Sequence, residues 1–163
     1  MAFIPGGLLE RINEICGEGL PLKFDISPEG GYCVSMTNKT GGNSIKGTIV
    51  EPSSGTDSAF ETCTADGYDP IGIVYTDGIA DGSECWVVMG GIAQILLKDA
   101  TASTRKYWTR ISADTAGRAD ATIAAPAGSV VGELDQHMRE VGHCIETKGA
   151  DTNVLALFVL HFL

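Results

Sequence analysis

The sequence predicts a mainly β protein, a small β-barrel or β-sandwich domain, and three observations lead there. Glycine is abundant, at 21 of 163 residues, and Asp-Gly and Gly-Gly pairs recur along the chain. Such pairs supply the positive φ of tight turns, which favours many short strands over long helices. Beyond the first twenty or so residues, apolar and polar side chains alternate in short runs separated by turn signals at roughly 8–12-residue spacing, the pattern of barrels and sandwiches.

The start of the chain differs from the rest. Leu8, Leu9, Ile12 and Ile15 follow helical spacing, and Gly17 and Gly19 stand where a helix would stop. Residues 1–20 therefore read as a short N-terminal helix or arm, and 21–163 as a single β-domain. A helix of about ten residues is marginal alone and must dock on something. Phe3, Ile4, Leu8, Leu9, Ile12 and Ile15 crowd apolar area between Pro5-Gly6-Gly7 and Gly17-Glu18-Gly19. They either pack on the chain's own domain or form the interface toward a partner or a neighbouring subunit.

From Leu22 the period becomes two. Leu22, Phe24 and Ile26 alternate with Lys23 and Asp25; Pro28 to Gly31 turns the chain; Tyr32, Val34 and Met36 alternate again. Further strands are expected at Ile45 to Val50, Phe60 to Thr64, Ile71 to Tyr75, Cys85 to Met89 and Ile92 to Leu97. Gly90-Gly91 should break or bulge the last two. Lys106 to Ser112, Arg118 to Ile123, Val141 to Glu146 and Val154 to Phe162 complete the set. The last is apolar on both of its faces, which predicts a central strand covered on both sides.

Composition narrows the function. The formal charge is −10 with only 11 Lys and Arg, so a surface that neutralises a line of phosphates is not expected, and neither is a nucleic-acid partner. The cluster Arg105, Lys106 and Arg110 reads as a solvated loop. The first residues carry no basic segment before an apolar one, unlike a signal peptide. The longest apolar run, Val154 to Leu160, falls far short of the ~20 residues that span a bilayer, so no membrane partner is expected. Five cysteines (Cys16, Cys33, Cys63, Cys85, Cys144) are widely spaced without a C-x-x-C pair, which predicts reduced thiols packed as small hydrophobes.

Residues able to carry chemistry are few. Cys144, His143 and His161 are the available nucleophile-and-base set, but neighbours on one strand point to opposite faces and no nucleophile elbow or oxyanion-type glycine motif follows. His137, His143 and His161 have neither i,i+4 spacing nor a Cys-Cys pair to support zinc. Gly17 to Gly19 lacks the lysine of a P-loop and the strand-before-helix context of a dinucleotide site. Asp77, Asp81, Glu84 and Asp114 do not follow the spacing of a calcium loop. The expectation is no catalytic residue, no metal and no cofactor.

Several blocks, in order, resemble one family. Lys46-Gly47-Thr48-Ile49-Val50, Pro70 to Tyr75, Asp77 to Ser83, Trp86-Val87-Val88 and Gly91 to Leu97 are similar to segments of the head decoration (capsid cement) proteins of tailed bacteriophages. So are Thr115 to Ala119, Glu140 to Glu146 and the ending Val159-Leu160-His161-Phe162. The likeness spans about three quarters of the chain and touches little of the first 43 residues. It implies a small, β-tulip-like domain that binds the outside of the capsid, with the major capsid protein as partner, a homotrimer more than a dimer, and neither catalysis nor cofactor. It implies a virion location after synthesis in the host cytoplasm, and gives the N-terminal apolar residues the capsid or a sister subunit as their target. The competing readings are another virion component (fibre-base, tail or minor head protein) and a small sugar- or ligand-binding β-domain. The latter needs exposed aromatics, with Trp86, Trp108 or Tyr107 as candidates. An enzyme built on the histidine-cysteine set comes third.

Overall fold

The structure, a computed structural model, describes residues 23–121 and 137–162. Among these, twelve strands form: β1 (Phe24–Ile26), β2 (Gly31–Asn38), β3 (Ile49–Pro52), β4 (Ala59–Thr62), β5 (Gly72–Val74) and β6 (Glu84–Leu96), then β7 (Thr101–Ser103), β8 (Trp108–Ile111), β9 (Ala119–Asp120), β10 (Glu140–Cys144), β11 (Lys148–Asp151) and β12 (Leu155–Leu160). The protein is mainly β, as the glycine-rich turns and the alternation predict. The helix or arm expected over 1–20 lies outside the described residues. No helix among the described residues is long and apolar enough to cross a membrane.

Ten strands share one sheet and β7 pairs with β11 in a separate ribbon. The long strand β6 is the hinge of the design. Its first half pairs with β2 on one side and β5 on the other, and its second half pairs with β12. Pairings therefore run round a circuit, β2–β4–β3–β5–β6 and back to β2. A second circuit runs β6–β12–β10–β8–β9 and returns through a bridge from Leu97 to Ala119.

This arrangement explains the apolar doublets. Ile49, Ile73 and Val88 enter one core cluster with Ile95, Leu97, Ile111, Val141 and Phe158, while their neighbours Val50, Val74 and Val87 enter another with Phe60 and Cys85. Consecutive residues of a strand face opposite ways, so a strand covered on both sides is apolar at successive positions.

Differences from the expected elements have local causes. At Gly90-Gly91 the second of the two expected outcomes holds, a bulge rather than a break: β6 continues through it with Met89 as the extra residue against β2, and Gly91 takes φ +82 where a Cβ would stand 2.6 Å from the Gly30 carbonyl oxygen. The strand expected from Ile45 begins only at Ile49. Gly47, at φ +86, breaks the extended chain, and the Asn38 amide holds the preceding loop by donating to the Gly42 and Ile79 carbonyls. β7 and β11 are small and polar, and carry no apolar alternation to reveal them. β12 does lie centrally, between β6 and β10. One face, Ala156, Phe158 and Leu160, is buried; the other, Leu155, Leu157 and Val159, is only half-buried.

Cys33, Cys63, Cys85 and Cys144 are unpaired and buried. Burial pushes the Cys33, Cys63 and Cys85 thiols up, with the Glu51 carboxylate adding to the effect at Cys63, so these groups pack as small hydrophobes.

Two carboxylates tie loops to the frame and set an acid limit. Asp114 accepts from Lys98 Nζ at 2.6 Å, from Thr115 Oγ1 at 2.9 Å and from Ser112 Oγ at 3.0 Å, which lowers its carboxyl from 3.8 to about 2. Glu146 is held below its usual range by Lys148 and by the Leu157 N–H that it accepts at 3.1 Å. A carboxyl whose value falls on folding stabilises the fold above its unfolded value, and that contribution is lost as pH drops through the folded value. Between about pH 5 and 2, the doubly substituted Asp114→Asn, Glu146→Gln protein should therefore lose less thermal stability than wild type. Parallel acid slopes in melting experiments would contradict this.

Candidate functional site: a carboxylate ringed by histidines

The second circuit brings all three histidines of the chain around one buried carboxylate, Glu140. The geometry begins in the backbone of β10. Against β8, Glu140 pairs with Arg110 but Gly142 pairs with the adjacent Thr109, so Val141 is an extra residue and the strand bulges. In a regular strand residues three apart lie on opposite faces. One extra residue restores the phase, and Glu140 and His143 meet on the same face, Oε1 to Nδ1 at 3.5 Å.

β12 supplies the next histidine. His143 stands opposite Val159, and the His161 N–H donates to the Val141 carbonyl, which places His161 two positions along from Val159. Such residues are diagonal neighbours on one sheet face. Their rings are 4.6 Å apart, and His161 Nδ1 is 3.5 Å from the same Glu140 oxygen, Oε1. Gly142 allows this approach: a Cβ there would stand 2.0 Å from the Val159 carbonyl oxygen.

His137 takes the other oxygen. Its Nδ1 lies 3.0 Å from Glu140 Oε2, a hydrogen-bond distance, and its ring packs edge-on to Trp108 at 6.5 Å. Next to it, Arg139 turns away from the cluster to pair with Asp66 and to donate to the Tyr68 hydroxyl, with its guanidinium over the Tyr68 ring. The Glu140 side chain is 7% exposed, whereas those of His143 and His161 are 43% and 46% exposed. The cluster is thus a buried acid with an open imidazole rim. His143 Nδ1 is itself buried and makes no hydrogen bond among the described residues.

Other sequence candidates are placed as follows. Cys144 lies on the opposite face of β10 from His143, in the core, with its thiol donating to the Glu146 carbonyl at 2.9 Å. The histidine-cysteine set is therefore divided between two faces. The acidic residues are also apart: Asp77 accepts from the Lys46 N–H, Asp81 from the Gly41 N–H, Glu84 bonds Lys23 and Ser35, and Asp114 bonds Lys98. Trp108 is 2% exposed and Trp86 packs half-buried against the core, so neither offers an exposed stacking platform; Tyr107 is exposed. Phe3, Ile4, Leu8, Leu9, Ile12 and Ile15 lie outside the described residues. Glu140 is the residue that sequence reasoning missed, since its role depends on a bulge and on the β10–β12 register. No family model matches this chain, and no curated protein matches it.

Proposed function

We propose that the protein is a structural virion protein, a decoration (cement) protein that assembles as a homotrimer on the outer surface of a tailed-phage capsid. The major capsid protein is its partner, and the role needs no catalysis, nucleic acid or membrane. The observation that carries the assembling role is the outer face of β6, β12 and β10. Leu155, Leu157 and Val159 line β12 there, half-buried; Ile92 stands opposite Val159, and Ile145, 39% exposed, donates its N–H to Leu157. These partly exposed apolar side chains share the face with Gln94 opposite Leu157 and His143 opposite Val159, and such a mixed surface is suited to burial against another protein surface.

The likeness to decoration proteins supplies the kind of assembly. Its blocks fall on β3, β5, β6, β9, β10 and β12, six of the nine strands that form the two circuits, so it concerns the body of the domain rather than one loop. The net charge of −10 suits an outward-facing shell component and opposes contact with packaged DNA. Co-sedimentation with expanded, undecorated heads tests the reading. Saturable binding and a higher disruption temperature of the heads are expected, and Leu157→Asp should weaken both while leaving a folded protein. A wild-type protein that neither binds heads nor stabilises them would overturn the proposal.

A further inference from the structure

We propose that Glu140, His143 and His161 form a binding site for a first-row divalent metal of the zinc type, with His137 orienting the carboxylate. The inference rests on the geometry of the cluster and is independent of the capsid reading. Glu140 Oε1, His143 Nδ1 and His161 Nδ1 are three potential donor atoms lying within 4.8 Å of one another. Both nitrogens are 3.5 Å from the oxygen. That spacing is longer than the ~2.7–3.2 Å of an N–H···O hydrogen bond. It is close to the edge, roughly 3.3–3.6 Å, of a tetrahedron whose metal–ligand bonds are ~2.0–2.2 Å.

Three features fit a metal better than a plain ionic cluster. The buried Nδ1 of His143 has no hydrogen-bond partner among the described residues, so one nitrogen lone pair is available to the space beside Oε1. His137 Nδ1 lies at hydrogen-bond distance, 3.0 Å, from Oε2, leaving Oε1 as the ligating oxygen. Ligating carboxylates are commonly hydrogen-bonded in this way. The donor set, two imidazoles and one carboxylate, selects zinc-like ions over calcium and magnesium, which take mainly oxygen ligands. A metal held there would join β10 to β12 beside the outer face.

The test uses untagged, chelator-treated, full-length protein titrated with zinc chloride in a calorimeter, with calcium chloride as control. One zinc per chain and no calcium binding are expected. His143→Ala and His161→Ala should each weaken zinc at least ~10-fold, and His137→Ala roughly 10–100-fold as an outer-shell change. The imidazoles replaced are about half exposed, and a circular dichroism melt checks that each variant folds. Zinc should raise the melting temperature of wild type but not of the His143→Ala, His161→Ala double variant. Absence of one-to-one binding would overturn the proposal, as would zinc affinity retained by the double variant. Unchanged affinity in His137→Ala would remove that residue from the site.

Discussion

A chain that stops after Asp151 is expected to be insoluble or unfolded. The cut removes β12, which lies between β6 and β10 in the sheet. It takes Ala156, Phe158 and Leu160 out of the core, and Phe158 is fully buried. Losing a buried phenylalanine side chain alone costs ~3–5 kcal/mol, against a total stability of about 5–15 kcal/mol for a domain. The second half of β6 and all of β10 would also expose unpaired ladder groups, a template for aggregation. Expression, solubility and a thermal melt check the outcome. Soluble truncated protein that melts cooperatively would show β12 to be an appendage.

Gly142→Ala should be among the most damaging single substitutions. The position sits in the β10 bulge at φ +155, and a methyl group there would meet the Val159 carbonyl oxygen at 2.0 Å and its carbon at 2.9 Å. Both atoms belong to the backbone of the neighbouring strand, so no side-chain rotation relieves the clash. The strands must separate, at a cost on the order of 3–5 kcal/mol, lowering the melting temperature by roughly 10 °C or more. Gly149→Ala is the matched control, because a Cβ there meets nothing within 4 Å. Near-equal melting of the two variants would contradict the described β10–β12 register. Separation of these strands also parts His143 from His161, so any zinc affinity should fall with stability in Gly142→Ala.

The fold class was legible because its signals are local. Doublets such as Ile73-Val74 and Val87-Val88 mark strands with two covered faces, and the Asp77-Gly78 and Asp81-Gly82 pairs mark the turn that separates them, with Gly78 and Gly82 both at positive φ. β7 and β11 escaped notice because Thr101-Ala102-Ser103 and Lys148-Gly149-Ala150-Asp151 have no apolar period. The histidine cluster was hidden for a different reason. His143 and His161 are 18 positions apart in sequence and meet only through the antiparallel register of β10 and β12. Glu140 joins them through an extra residue, and a bulge has no reliable signature in a stretch such as Arg139-Glu140-Val141-Gly142. Periodicity reads the face of a regular strand; where the phase slips, it assigns the wrong neighbours.

Capsid decoration is tested most directly by a cryo-electron-microscopy reconstruction of expanded heads incubated with the protein, compared with the same heads alone. Added density is expected on the outer surface, repeated at the local threefold axes, at a copy number approaching that of the capsid subunits. An unchanged shell surface, or density confined to the portal and tail, would contradict capsid decoration.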